Sequence, residues 1–394
     1  MTDELDLFEE QEDRTERPRR DRRRLKLAVL GTVLLLIIGG GAYYGWRQLS
    51  GIGDYDDFAG SGESDVVFEV KPGDSTGDIG NRLHDQGIVA SSRAFVAAAE
   101  DDSKVRAVQP GYYVMRTKSS GQAAVSKITD EQSRVGNLQI RAGTQLDDIA
   151  AGQNVTAGVL TLIAKASCAE LNGTKTCVSV EDLRKVAETA DLTALGVPEW
   201  AVADANRAPE PRRRLEGLVM PDVYEVKPGT SAEEVWQKLL ADSSARMQAA
   251  GMPAIADATG FTPYQVLTMG SLVQREAVSA DFSKVSRVTY NRLAQGMKLE
   301  YDSTVNYVLD RPAILTKPED RAKAGPYNTY ANLGLPPTPI AAVSKEALEA
   351  ASKPADGAWV FFVRCEKNGL SCFANTFEEH KANVKRAQDN GAYN

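Results

Sequence analysis

From Leu27 to Trp46 the chain runs 20 residues without a charge (LAVLGTVLLLIIGGGAYYGW). At about 1.5 Å rise per residue that length crosses a hydrocarbon layer roughly 30 Å thick. No second apolar run of that length occurs in the 394 residues, so the pattern predicts one transmembrane helix over 27–46. Arg19, Arg20, Arg22, Arg23, Arg24 and Lys26 precede it and only Arg47 follows closely, an excess that predicts a cytoplasmic N-terminus. Tyr43, Tyr44 and Trp46 then supply the outer aromatic belt. The rival is a cleaved signal peptide, whose apolar region is usually about 7 to 15 residues and ends in a small-residue cleavage site. This run is longer and no such site follows cleanly. The expectation is a single-pass protein of the inner (cytoplasmic) membrane, touching membrane lipid through this helix. Residues 1–26 form a disordered cytoplasmic tail, and everything past about residue 48 lies outside the cytoplasm.

The chain beyond the span is long enough for two or three domains. With 42% hydrophobic and 25% charged residues, it has the means to bury a core. The formal net charge is -8, and the first 26 residues hold nine acidic and eight basic side chains, leaving -7 for the rest. An anionic body argues against a nucleic-acid partner. The four cysteines, Cys168, Cys177, Cys365 and Cys372, form two close pairs, each centred on an Asn-Gly step, Asn172-Gly173 and Asn368-Gly369. Asn-Gly is the strongest two-residue hairpin signal. Residues equidistant from such a turn face each other within disulfide range, so Cys168–Cys177 and Cys365–Cys372 are expected as cross-strand disulfides. Neither pair has the C-x₂₋₄-C spacing of a zinc site.

Residues 47–64, rich in Gly, Asp and Ser, read as a linker. Beyond it one pattern occurs three times: FEVKPGDSTGDI from Phe68, LQIRAGTQLDDI from Leu138 and YEVKPGTSAEEV from Tyr224. Each reads as a strand, a glycine turn, then a helix capped by Ser75, Thr144 or Ser231 with Asp78, Asp147 or Glu234 three residues on. A recurring turn without deeper meaning would share the same letters. The expected organisation is a small β-turn-α domain over 65–135, a mostly helical connecting region with a disulfide hairpin over 136–213, and a mixed α+β domain over 214–394. The overall class is α+β.

Chemistry is constrained by what is scarce. Only His84 and His380 occur; neither accompanies a G-x-S-x-G elbow, and both read as surface or structural. Phosphate-loop, HExxH, EF-hand and CxxC spacings are missing from the sequence. No metal or cofactor is implied, and carboxylate chemistry remains. The predicted helix opening at Thr262-Pro263 carries YQVLTMGSLVQREAVS. Val266, Met269, Val273 and Glu276 fall at spacings of 3, 4 and 3, which places an acid on the apolar stripe. Burial raises such an acid's pKa and suits it to general acid work near neutrality. Half of a salt bridge is the plainer reading of Glu276. Gly270 on the same stripe allows close approach of a ligand or backbone. Downstream, NRLAQGMKLEYDSTVNYVL from Asn291 reads as a helix ended by Gly296, an extended stretch, and a new helix capped by Asp302. GPYNTYANLGLPPTPIA from Gly325 is a polar, aromatic loop. Tyr327, Asn328, Thr329 and Tyr330 have the amide, hydroxyl and ring faces that bind sugars, or they merely cap the domain.

Taken in order, LEGLVMPDVY, SLVQREA, NRLAQGMKLEYDSTV, PYNTY, GLPPTPIA and the terminal EEH resemble the YceG-like family of endolytic murein transglycosylases, the MltG type, over roughly residues 66 to 390. The resemblance implies a LysM-like module near the membrane and a C-terminal catalytic domain that cuts peptidoglycan glycan strands internally. Termination of glycan elongation, with peptidoglycan synthases of the elongation or division machinery as partners, is implied with it. The family's catalytic glutamate falls on Glu276. Gln274 stands where the family usually has Glu, Glu300 where Gln is usual and Ser303 where Pro is usual; Ala142-Gly143 replaces Glu-Gly. Binding and positioning roles are expected for Gln274, Asn291, Glu300, Asp302, Tyr327, Asn328, Thr329 and Tyr330. The implied reaction is non-hydrolytic and leaves 1,6-anhydro ends. A hydrolytic muramidase pairing Glu276 with Asp302 or Glu300, and a non-catalytic glycan-binding scaffold, remain as alternatives. A reporter active only outside the cytoplasm should be active when fused after Asn394. Activity there of a reporter confined to the cytoplasm would reverse the predicted topology.

Overall fold

The computed structural model describes residues 37–41, 43, 55–151, 154–309 and 316–392. The chain divides into an N-terminal unit, Met1–Asp56, and a second, Asp57–Asn394. Within the first, residues 37–41 and 43 are helical. The rest of the predicted span, the tail 1–26 and residues 47–54 lie outside the described residues. Among the described residues no helix is long and apolar enough to cross a membrane.

The second unit is mixed α+β. Strand β1 (Asp65–Val70) alternates, with Phe68 and Val70 buried and Glu69 exposed, as a strand packed on one face must. It pairs antiparallel with β2 (Gly111–Arg116), from Asp65 opposite Arg116 to Val70 opposite Gly111. β2 pairs in turn with β3 (Arg134–Val135). Helices α1 (Thr76–Asp85) and α2 (Ser92–Glu100) lie between β1 and β2 in sequence, and α3 (Gly121–Ile128) follows β2. Their apolar faces and the sheet bury Phe68, Leu83, Ile88, Phe95, Met115 and Val125 in a core of their own. As expected, α1 opens on a reciprocal cap: Asp78 N–H donates to Ser75 Oγ and Ser75 N–H to Asp78 Oδ2.

The second of the three repeated segments departs from its expectation. Strand β4 (Asn137–Ile140) forms, but the helix after Gly143 does not. The peptide and acid groups such a helix would use internally are engaged by distant residues. Ala342 N–H donates to the Thr144 carbonyl at 2.8 Å, Leu146 N–H to the Glu216 carboxylate, and Asp147 pairs with Arg184 at 2.6 Å. The chain continues instead as a hairpin of β5 (Ile149–Ala151) and β6 (Asn154–Thr156). Helix α4 (Val159–Ala166), hairpin β7 (Glu170–Leu171) and β8 (Thr174–Lys175), then α5 (Val180–Thr189) and α6 (Glu199–Ala205) complete the connecting region. Strand β9 (Asp222–Glu225), from the third repeat, pairs antiparallel with β4, Leu138 opposite Tyr224. The second and third repeats therefore share a sheet, and only the first and third carry the capped helix. The third one is α7 (Ala232–Ala249), with Ser231 and Glu234 in the capping box.

The remaining elements are α8 (Pro263–Glu276), α9 (Phe282–Ala294), α10 (Asp302–Asn306), α11 (Pro318–Arg321), α12 (Lys345–Ser352), β10 (Phe361–Arg364), β11 (Ser371–Ala374) and α13 (Phe377–Asp389). The largest core joins β4, β9 and α4–α9 with α12 around Trp236, Leu239, Val266, Met269 and Leu348. Gly270 does allow close approach. A Cβ there would stand 2.8 Å from Val343 Cγ1, so the chain leading into α12 packs on α8 at a distance a side chain at 270 would force to shift.

Both disulfides form, Cys168–Cys177 with Cα atoms 4.1 Å apart and Cys365–Cys372 with 5.6 Å. The first follows the expected register: Leu171 faces Thr174, and Asn172 and Gly173 both take positive φ, the conformation Asn-Gly favours in a two-residue turn. The second does not. Gly369 N–H donates to the Glu366 carbonyl, and both Cys365 and Glu366 N–H point at the Leu370 carbonyl. That bulge places Val363, not Cys365, opposite Cys372, and the disulfide links bulge to strand. Asn172 also ties its hairpin to β1, accepting from Asp65 N–H at 2.7 Å and donating from its amide to the Asp65 carbonyl. Replacing Cys168 and Cys177 together by Ala should lower the unfolding free energy by about 2 to 3 kcal/mol, the loop-entropy cost of so short a ring. Denaturant titration of the unreduced protein checks this, and unchanged stability would contradict it.

Candidate active site

Helix α8 starts where the sequence places it. Gln265 N–H donates to Thr262 Oγ1 while Thr262 N–H donates to Gln265 Oε1, and Pro263 occupies the first turn. From Tyr264 to Val273 all but Gln265 are buried. Glu276 is the last helical residue, since Ala277 leaves with extended backbone at φ -142°. There it opens onto a cleft of about 800 Å³. One wall comes from the segment Leu299–Ser303 and Asn306, another from Arg321 and Tyr330, and a third from β10 and α13, including Phe361, Phe377 and His380.

Burial pushes the Glu276 carboxyl up to about 7. Asp302 acts in the same direction, while Ser303 and Arg275 pull it down. Ser303 N–H donates to Glu276 Oε1 at 3.1 Å. The C-terminal end of a helix also disfavours negative charge, so position and burial agree. A carboxyl of this kind can give a proton and take one back near neutrality.

The two other acids of the cleft are engaged differently. Asp302 Oδ1 accepts from Thr316 Oγ1 at 2.5 Å and Tyr330 OH at 2.7 Å, with Arg321 Nε at 3.4 Å. It does not cap α10 as expected; Tyr301 holds that position and Asp302 is the first helical residue. Burial and the Asp302 carboxylate together raise the Tyr330 hydroxyl's pKa, so it stays a donor. Glu300 sits at φ +53°, a left-handed conformation rare without glycine, and pairs with Arg292 at 3.2 Å.

Of the residues singled out in the sequence, Glu276, Glu300, Asp302 and Tyr330 meet in this cleft. The others do not line it. Gln274 Oε1 accepts from Ser344 N–H, at the start of α12. The Asn291 amide donates to the Gly357 and Trp359 carbonyls and so holds the approach to β10. Tyr327 is fully buried, its hydroxyl 3.0 Å from Thr338 Oγ1. Asn328 binds the Arg321 and Lys323 carbonyls and accepts from Tyr330 N–H, which shapes the loop. Thr329 Oγ1 accepts from Tyr301 N–H at 3.0 Å and meets Thr304 Oγ1 at 2.8 Å. Among the described residues no group of three or more His, Cys, Asp or Glu could hold a metal ion.

A model of the YceG-like family matches residues 68–386. The chain belongs to the YceG-like family. It is 26% identical over 348 residues to the endolytic murein transglycosylase of Bacillus subtilis (strain 168), covering 88% of this chain and 89% of that protein. It is 25% identical over 364 residues to the endolytic murein transglycosylase of Streptococcus pneumoniae serotype 2, spanning 63% of that longer protein. In fold it is similar to the crystal structure of a yceG-like protein from Listeria monocytogenes, with a TM-score of 0.53 at 24% identity, covering 81% of this chain and 98% of that one.

Two residues of this YceG-like cleft are not foreseen in the sequence. Arg292 is buried; its guanidinium donates to the carbonyls of Val360, Lys298 and Leu299 and so joins α9 to the start of the Leu299–Ser303 wall and to the residue before β10. Its i, i+8 relation to Glu300 leaves no sequence signal, because the intervening chain is not helical throughout. His380, expected at the surface or in a structural role, lines the cleft, stacked on Phe361 with ring centroids 5.2 Å apart. Burial lowers its pKa. Its place in the terminal EEH run is the one signal that points to it.

The Glu276 shift carries a stability consequence. Its folded pKa of about 7 lies above the ordinary 4.5. Between those values the unfolded chain has released a proton the native state keeps, so stability falls as pH rises through that window. Glu276→Gln removes this term. The variant's Tm should draw ahead of wild type as pH rises from 5 to 8, as followed by calorimetry; a gap that shrinks over that range would contradict the shift.

Proposed function

We propose that this protein is a membrane-anchored endolytic peptidoglycan transglycosylase that cleaves the bond between N-acetylmuramic acid and N-acetylglucosamine in nascent glycan strands. It is an enzyme of the lyase type. The observation that carries the reading is a single carboxyl, Glu276, held near a neutral pKa at the floor of a large cleft, in a chain of the YceG-like family. Protonated Glu276 donates to the glycosidic oxygen as the C1–O bond breaks. The resulting carboxylate accepts the proton of the muramyl C6 hydroxyl as that oxygen bonds to C1. The 1,6-anhydro ring closes, no water is consumed, and Glu276 ends protonated as it began. Because the nucleophile belongs to the substrate, one carboxyl suffices, whereas hydrolysis normally uses a second carboxylate flanking the bond. The pairing of Glu300 with Arg292 and of Asp302 with Tyr330, Thr316 and Arg321 supports that economy.

The uncharged run 27–46 and its basic flank support a single-pass anchor in the inner membrane with the catalytic domain outside the cytoplasm. The β-turn-α unit over 65–135, with its own core, is read as the LysM-like module that meets glycan beside the membrane. Such an enzyme terminates strands as they are made, which makes the synthases of elongation or division its natural neighbours.

Glu276→Gln keeps shape but cannot cycle a proton, so release of anhydro-muropeptides from sacculi should fall by at least the ~10²- to 10⁴-fold ascribed to general acid–base catalysis. Mass analysis of the products checks this. Ends one water heavier would assign a hydrolytic muramidase, and near wild-type cleavage by the folded variant would remove Glu276 from the chemistry.

A further inference from the structure

The proposed reaction leaves the buried acid Glu216 unused. Glu216 is 3% exposed and lies in the segment between α6 and β9. Both its oxygens accept from Leu146 N–H, at 3.1 and 3.0 Å, and Oε2 also accepts from Tyr307 OH at 3.0 Å. Tyr307 is the C-terminal cap of α10. Its ring meets Tyr327 edge-on at 5.0 Å, and the Arg213 guanidinium lies 4.3 Å above it. The other end of the same five-residue helix carries Ser303, whose N–H reaches Glu276 Oε1.

A helix this short has too few internal hydrogen bonds to fix itself. Its position is set by what grips it: Thr304 against Thr329 on the flank, Ser303 at one end and Tyr307 at the other. We propose that Glu216 and Tyr307 are a positioning pair, holding α10 so that Ser303 N–H stays on Glu276 and sets the proton affinity of that carboxyl. The inference rests on the role given to Glu276 above. Without the pair, α10 drifts by less than a turn, the 3.1 Å contact lengthens, and Glu276 loses a donor that favours its ionised form.

The groups facing Glu216 are Tyr307, Asp147 and Arg213, with Tyr264 and Tyr327 close enough to feel its charge. Those facing Glu276 are Ser303, Asp302 and Arg275, with Tyr301 and Tyr330 close enough to feel its charge. None of the second set is altered by Tyr307→Phe, which removes one oxygen and keeps the ring on Tyr327 and beneath Arg213. Ser303→Pro deletes the N–H donor, at a helix position where proline is tolerated, and is read against Ser303→Ala, which removes only the hydroxyl that also lowers the Glu276 pKa.

The test follows the ¹³C carboxyl resonance of Glu276 through pH in the full chain, assigned by its loss in Glu276→Gln, beside the pH profile of kcat/KM on glycan strands. Each single variant should raise the Glu276 midpoint by about 0.5 in pH and carry the alkaline limb of the profile upward with it. The Tyr307→Phe, Ser303→Pro double variant should match the larger single effect, because Tyr307 acts only through Ser303. A midpoint unmoved by Tyr307→Phe overturns the proposal, and so do two effects that simply add. If the midpoints move as expected while wild type releases no anhydro ends, the positioning pair stands and the transglycosylase reading fails.

Discussion

Helix α8 is enclosed along almost its whole length, and the position of Glu276 follows from that. Its polar side chains turn inward on the helix or on the neighbouring chain: Thr268 Oγ1 donates to the Tyr264 carbonyl, and Ser271 Oγ donates to the Thr268 carbonyl while accepting from Ile340 N–H. Gly270 leaves room for Val343, on the chain leading into α12, to pack closely on α8. A rod held this way has no freedom to rotate, so its final residue is delivered to one point at the cleft floor. The cost of an ionised carboxylate there comes from the same burial that fixes the rod. Fold and chemistry share one cause.

Burial, the helix C-terminal end and the Asp302 charge all push the Glu276 carboxyl toward protonation. Ser303 supplies a counterweight, its side chain and its backbone N–H both lowering the pKa, the N–H through a 3.1 Å hydrogen bond to Oε1. A backbone donor tunes without adding charge, and its strength depends on where α10 sits, which makes the placement of that short helix a chemical variable.

The features legible in the sequence are local or periodic. The stripe Val266, Met269, Val273 and Glu276, the cap at Thr262, the capping boxes at Ser75 and Ser231, and the Asn172-Gly173 turn depend on neighbours within a few residues, and all of them form as expected. The failures are places where distant chain intervenes. Thr144 to Asp147 has the letters of a capped helix, but Ala342, Glu216 and Arg184 claim its groups first. Asn368-Gly369 has the letters of a two-residue turn, yet the chain takes a bulge and still closes its disulfide. The loop 325–332 illustrates the same limit. Its composition suits sugars, but Tyr327, Asn328 and Thr329 face inward to build the loop, and Tyr330 alone of the four reaches the cleft.

The same reach across the chain lets one cleft hold three carboxyl groups in different environments. Arg292 is anchored by three backbone carbonyls before it meets Glu300, so its charge is fixed in place and commits that acid to an ion pair. Asp302 is surrounded by donors from Thr316, Tyr330 and Arg321 and is committed to them in the same way. Glu276 has burial as its dominant influence and the neutral Ser303 N–H as its hydrogen-bond partner. Unlike environments around like groups push their proton affinities apart. Here the separation is built largely from backbone carbonyls, hydroxyls and one amide, supplied by α8, α10, the 316–330 loop and the segment leading to β10, which the sequence keeps far apart and only the fold brings together.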